Sequence, residues 1–329
     1  MAGNLWGTDS LGGNLAQAYL TKYLRYVAQP LCRFRQVCDV KEAIGKGRGD
    51  TFNWDVVADI GTAGDTLSET AVIPSAEFTV TKGTGTVYEF GNSIPLSRKL
   101  KELSQHEVMD IVRKTLANDM AKTLDKYIFK KMADTNLIYS PDSGTSTTSI
   151  EVATNGAAAT ASANTAGLSY GHIIEIVDSM KERNIPTWDG ENYLCISHPS
   201  TFTKLRKDLV SVNQYTESGY GKIMNGEIGK FGGMRFIEQT NVGKITATNA
   251  GSGVGWAVFL GGEAMIEAIS VPEQIIEKEV TDYGRSLGLA WYLIAGYTPA
   301  FPVATVANNR IAFWWPNASG PNDSLTYVG

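Results

Sequence analysis

Polar and apolar positions alternate with period two in several parts of the chain, and with helical period in one long part. Thr51 to Val56 alternates, with Phe52, Trp54 and Val56 on one side and Asn53 and Asp55 on the other. Phe78 to Lys82 and Val87 to Phe90 alternate again. Such alternation marks strands with one sheltered face. The polar stretch Gly61–Thr70 lies between them, so residues 51–95 read as a long two-stranded excursion. A two-stranded ribbon is marginal in water and should lie on another surface.

Residues 104–133 carry the clearest helical pattern. Val108, Val112, Leu116, Met120, Leu124, Ile128 and Met132 recur every fourth residue, widened by Ile111, Ala117, Ala121 and Tyr127. Strict fours drift around a 3.6-residue helix, so more than one partner must wrap it. Ser104 and Glu107 have the spacing of a capping box. The helix would be roughly 45 Å long at 1.5 Å per residue. Residues 96–103 read as a short helix leading into it, and Leu15–Val27 as another in the N-terminal arm.

Residues 140–167 are rich in Thr, Ser, Ala, Asn and Gly and read as a surface loop. Beyond them helices and strands mix. Tyr170–Arg183 and Pro199–Leu209 are expected helices; Tyr193–Ile196, Phe231–Ile237 and Trp256–Leu260 are expected strands. Gly262–Ala268 reads as a helical turn, and Ile275–Trp315 as mostly strand. No residue between Arg285 and Arg310 is charged, but Pro299, Pro302, Gly288 and Gly296 interrupt that stretch. Core strands buried on both faces explain it better than a membrane span.

Composition changes this picture little. The chain has 329 residues, 43% hydrophobic and 19% charged, enough for one large or two modest domains. Its net charge of −5 argues against gripping nucleic acid by overall charge. The charge is sorted, however. Residues 1–50 carry net +3, residues 51–95 net −5, and residues 96–134 net +3. An acidic hairpin flanked by basic segments suggests that it lies across a neighbour's arm or long helix. Asp55, Asp59, Asp65, Glu69 and Lys82 are the contact residues expected there.

Candidate chemistry is sparse. Cys32, Cys38 and Cys195 have neither disulfide nor zinc spacing and read as free thiols in a reducing cytoplasm. The N-terminus has no basic region followed by an apolar core, so no secretory signal is read. His106-Glu107 lacks the second histidine of HExxH, and His172 reads as a helix-surface or boundary residue. Ser197-His198-Pro199-Ser200 follows a buried strand and opens a helix, the best enzymatic position present. It lacks the flanking glycines of a nucleophile elbow, so a helix cap by Ser197 or Ser200 accounts for it better. Gly45–Asp50 is a flexible joint and not a phosphate loop; Lys82–Thr86 and Gly251–Gly255 lack the strand and helix that a nucleotide fingerprint needs. Trp314 and Trp315 read as core or interface anchors. No catalytic residue, cofactor or metal is expected.

The order of segments is arm, acidic hairpin, long helix, inserted α/β compartment and return strands. It resembles the major capsid proteins of tailed bacteriophages with the Hong Kong 97-type fold. Gly226–Asn241 and Thr281–Tyr292 are similar to segments of a branch typified by short-tailed phages. The resemblance implies an α+β fold. Its parts would be an N-terminal arm (1–50), an extended β-hairpin loop (51–95), a peripheral domain with spine helix (96–167), an α/β axial domain (168–267) and peripheral return strands (268–329). It implies a subunit that associates with itself as hexamers and pentamers in an icosahedral shell. The shell would enclose double-stranded DNA without sequence-specific binding, in a virion assembled in the host cytoplasm, with a separate scaffolding protein, a portal and no membrane. Some relatives join subunits through a Lys–Asn bond. Lys82 lies on the hairpin, but no asparagine or activating glutamate matches, so no crosslink is expected. The competing readings are an encapsulin-like compartment, a tail or decoration component, and a soluble α/β enzyme using Ser197-His198.

Overall fold

The computed structural model describes residues 32–43, 49–57, 60, 66–69, 72–73, 75, 77–155, 166–213, 229–241, 256–279, 282–301 and 309–314. The expected helix Leu15–Val27, most of the Gly45–Asp50 joint, the Gly251–Gly255 loop and Trp315 lie outside them.

Three sheets organise these residues. A four-stranded sheet has the order β1 (Cys38–Ala43), β11 (Met265–Glu277), β12 (Ser286–Pro299), β4 (Tyr88–Ser97). Strand β1 runs parallel to β11, and the other neighbours are antiparallel. A two-stranded ribbon pairs β2 (Thr51–Val57) with β3 (Val80–Thr86). A seven-stranded sheet has the order β6 (Ile150–Ala153), β5 (Ile138–Pro141), β13 (Ile311–Trp314), β10 (Ala257–Leu260), β7 (Tyr193–Ser197), β9 (Met234–Glu238), β8 (Lys230–Phe231). Four helices accompany them among the described residues: α1 (Arg98–Leu103), α2 (Val108–Met132), α3 (Tyr170–Glu182) and α4 (Phe202–Asn213).

The seven-stranded sheet separates two cores. Leu194 and Ile196 of β7, Val258 and Leu260 of β10, and Ile311 and Phe313 of β13 face a core shared with α2 and the four-stranded sheet. Their alternate neighbours Tyr193, Cys195, Ala257, Phe259, Ala312 and Trp314 face a second core under α3 and α4. Both faces are therefore buried, which is why these strands read as unbroken apolar runs. The uncharged stretch after Arg285 is mostly β12, a central strand with β11 and β4 on either side. Among the described residues no helix is long and apolar enough to cross a membrane.

Helix α2 buries Val108, Val112, Leu116, Leu124, Ile128 and Met132 as its spacing predicts, and spans about 38 Å. Its start differs from expectation. Ser104 closes α1, its N–H donating to Leu100 O, so that residue is not free to open α2. The N-cap of α2 is Glu107, without a side-chain cap bond.

Three other local readings are corrected. Phe231–Ile237 is not one strand but the hairpin β8–β9, turning at Gly232 and Gly233, with φ of 57° and 79°. Two consecutive positive φ values define the two-residue turn that matches strand twist. Gly262–Ala268 is no helical turn, because β11 starts at Met265 and pairs on both edges there. The low-complexity region contains β6, held by β5 through Ile138↔Ala153 to Pro141↔Ile150; residues 156–165 lie outside the described residues.

Candidate assembly interface

The ribbon gets its form from an alternation of aromatic and glycine residues across its two strands. Phe52 faces Gly85 and Trp54 faces Gly83 in register. The two rings stack with centroids 5.5 Å apart and lie over the glycines, leaving no room for a Cβ at either. Bare glycine backbone in a strand is open to exactly this cover by an aromatic neighbour. The glycines of Lys82–Thr86, which made no sense as a nucleotide loop, are thus packing positions. Phe52 also reaches β12, where a Cβ on Gly296 would stand 2.8 Å from its ring. Trp54 Nε1 donates to Ala300 O at 2.7 Å. The base of the ribbon is fastened to the end of the four-stranded sheet.

Beyond that base several apolar residues among the described ones are exposed. Val57, Ile60, Leu67, Val72, Ile73, Phe78 and Val80 are large hydrophobic residues turned to solvent, Val72 at 91% and Ile73 at 73%. Large apolar residues exposed along one segment mark an interaction surface. Sequence reasoning stressed charge here and missed this strip. Of the charged positions predicted, Asp55 and Lys82 are exposed and stand opposite each other in register. Glu69 is exposed in a turn, well along the segment. Asp59 and Asp65 lie outside the described residues.

A basic face lies elsewhere on the same chain. Arg113 and Lys114 are exposed on one side of α2, with Asp110, Ala117, Asn118 and Ala121, and Lys99 and Lys101 are exposed on α1. Within the chain Arg113 pairs with Asp110 at 3.2 Å and Glu277 at 3.7 Å, and Arg98 with Glu102 at 3.7 Å.

The arm enters the fold through two buried carboxylates that the sequence did not flag. Asp125, mid-way along α2, accepts Phe34 N–H at 2.8 Å and Asn241 Nδ2 at 3.1 Å, and takes a further hydrogen bond from Gln239 Nε2. Burial pushes its pKa up against the pull of those donors. Glu267 of β11 accepts Arg35 Nη2 at 2.9 Å and Tyr297 Oη at 2.9 Å through one oxygen. Arg35 also pairs with Glu273. The only sequence signal for Asp125 is a charge set against the apolar stripe, directly after Leu124.

The enzymatic candidates are occupied structurally. Ser197 belongs to β7 and caps no helix; its hydroxyl is buried and donates to Trp256 O. His198 Nδ1 is engaged by Ser200 Oγ at 2.7 Å. His172 is not at the surface as expected but fully buried. Ser169 caps α3, and His172 at the third helical position completes a capping box, its Nδ1 accepting Ser169 N–H at 3.2 Å. Nε2 then donates to Ser146 O at 3.1 Å, and the ring packs on Trp314. Burial lowers the His172 pKa to about 4. Trp314 is a core residue. None of the three cysteines is in a disulfide, and no group of three or more His, Cys, Asp or Glu is placed to hold a metal among the described residues.

A family model described as phage capsid protein matches residues 81–308. No curated protein matches the chain. Solved structures similar to it include the capsid of Ralstonia phage GP4, 16% identical with a TM-score of 0.62 over 94% of this chain and 97% of that one. The capsid structure of cyanophage P-SCSP1u is 13% identical, TM-score 0.64, over 92% and 93%. The head structure of Helicobacter pylori bacteriophage KHP40 is 12% identical, TM-score 0.63, over 97% and 100%.

Proposed function

Because the chain belongs to the phage capsid protein family, we infer that copies of it lock together through the ribbon to build the shell of a tailed phage. It is a major capsid protein with the Hong Kong 97-type fold and a structural component of the virion. The observation that carries the ribbon's role is the apolar strip from Val57 to Val80. In this reading a second molecule covers it.

The receiving surface is the basic face of a neighbour's α2 and α1. Asp55, Asp59, Asp65, Glu69 and Glu77 supply the complementary sign, which sets register, while the apolar side chains supply affinity. Lys82 stands across from Asp55 and tempers the charge at the ribbon base.

The division into arm (1–50), extended loop (51–95), peripheral domain (96–167 and 268–329) and axial domain (168–267) is part of this proposal. So are hexamers and pentamers in an icosahedral shell, a separate scaffolding protein, a portal, and placement in the branch typified by short-tailed phages. The shell encloses double-stranded DNA without reading its sequence; a subunit of net charge −5 does not hold the phosphate backbone by its overall field. The chain does no chemistry of its own in this reading. The Ser197 hydroxyl, bonded to Trp256 O in the core, supports that.

Negative-stain electron microscopy with light scattering tests it. Shells, polyheads, hexamers or pentamers are expected. A homogeneous monomer at high concentration, even with candidate scaffold added, would overturn the reading. Enzyme cargo in place of DNA would move it to an encapsulin-like compartment.

A further inference from the structure

The β11–β12 hairpin ends in two unlike surfaces. At its tip Lys278 N–H donates to Gly288 O at 2.9 Å, and Asp282, Tyr283 and Gly284 follow with φ of 55°, 50° and 90°. A left-handed backbone is unfavourable for a residue as bulky as tyrosine. The strained turn nevertheless presents the Tyr283 side chain fully to solvent. Arg285 beside it is 82% exposed and only 4.0 Å from Asp282. Arg98, at the start of α1, donates its backbone N–H to Arg285 O, which ties the tip to α1, and its guanidinium pairs with Glu102 at 3.7 Å. Of the acids nearby, Glu277 is paired with Arg113. Exposed tyrosine and arginine together have the composition of an interface anchor.

At the opposite end, where β11 begins and β12 stops, the ribbon base encloses a groove of about 570 Å³. Phe52, Trp54, Val56, Met265, Ile266 and Phe301 line it. Asp39 and Glu263 are its acidic lining residues, with Arg310 at 3.4 Å from Glu263, and Asp55, across from Lys82, borders it. The groove is large enough for an aromatic side chain, and its charge is opposite to that of Arg285. Met265 and Glu277 lie up to about 40 Å apart along β11, so a chain does not fill its own groove with its own tip.

We propose that Tyr283, with Arg285 beside it, seats in this groove of a second copy, between Phe52–Val56 and Met265–Ile266. The contact joins two different surfaces of identical subunits. Such head-to-tail contacts close into rings or extend into nets, as a shell requires. The proposal rests on the shell-subunit reading but uses neither the apolar strip nor the basic face of α2.

The test pairs Tyr283→Cys with Asn53→Cys, which lines the groove, in the full chain with Cys32→Ser and Cys38→Ser. After assembly and mild oxidation, non-reducing electrophoresis should show a ladder of linked chains, because each chain offers one tip and one groove. Dimers formed by Tyr283→Cys alone would show tip meeting tip and overturn the proposal, as would assemblies with no crosslink. Independently, Arg285→Glu should raise the concentration needed for assembly about tenfold, the scale of one good contact, and Asp39→Arg in the same chain should restore it. Weakening without restoration would remove the groove as the socket. If the unaltered chain forms no assemblies, the shell reading itself fails, a result distinct from normal assembly of Tyr283→Ala.

Discussion

The Trp54 indole and the Ala300 carbonyl, 246 positions apart in sequence, meet in a 2.7 Å hydrogen bond that fastens the ribbon to the body. The indole can lie flat enough to do this only because Gly83 is beneath it and Gly85 is beneath Phe52. A side chain at either glycine lifts the aromatic pair and turns the whole ribbon.

Gly83→Val should therefore unseat the ribbon while both cores stay intact. Overpacking of this kind costs about 1–3 kcal/mol locally. The expected result is a small change in melting temperature, a shift in tryptophan fluorescence and loss of assembly. Trp54→Phe removes the hydrogen bond, about 1 kcal/mol, and part of the cover over Gly83, and should assemble more weakly but still assemble.

The apolar strip should matter more than the charges beside it. Burying an isoleucine or valine contributes about 1.5–3 kcal/mol, whereas an exposed ion pair contributes about 1 kcal/mol or less. Ile73→Asp or Val72→Asp should then abolish assembly with no loss of monomer stability. Reversal of Asp55, Asp59 and Asp65 to lysine should impair assembly and invert its dependence on salt, because salt screens the new repulsion. Light scattering across a salt series separates the two; normal assembly of the triple reversal would sink the charge argument.

Asp125 holds the arm to the spine helix. Asp125→Ala leaves the Phe34 N–H and the Gln239 amide without this acceptor, while Asn241 Nδ2 keeps Lys122 O. Leaving buried donors unsatisfied in this way costs about 1–3 kcal/mol. Asp125→Asn keeps an acceptor for Phe34 N–H, and its neutrality relieves the burial that raises the aspartate pKa. It should lose less than half as much, as chemical denaturation would show. Equal losses would mean that the charge itself is indispensable.

His172 makes stability depend on acid. Its folded pKa, about 4, lies below the ordinary value of 6.5, so the fold favours the neutral ring. Its contribution is complete above pH 6.5 and is lost as pH falls towards 4, where Nδ1 must take a proton against the Ser169 N–H. The full shift is worth on the order of 3 kcal/mol. Denaturation midpoints of the wild type should fall more steeply between pH 6.5 and 4 than those of His172→Gln. Parallel curves would refute it.

Local pattern was legible wherever one element faced one environment. The alternation of Phe52, Trp54 and Val56, the every-fourth-residue stripe of α2 and the apolar runs of β7 and β10 each report which way side chains point, and backbone geometry enforces that. Segment order likewise resembles that of phage capsid subunits. What the chain by itself did not reveal are pairings between distant residues. Whether Gly83 opens a loop or receives an indole depends on its register with Trp54. Phe231–Ile237 reads as one strand until Gly232 and Gly233 adopt the backbone that only a tight turn requires. Asp125 reads as surface charge until Phe34, Gln239 and Asn241 arrive from both sides of it in sequence. Periodicity is a property of neighbours along the chain, whereas burial of a charge or cover of a glycine is a property of neighbours in space, and only the tertiary structure supplies those.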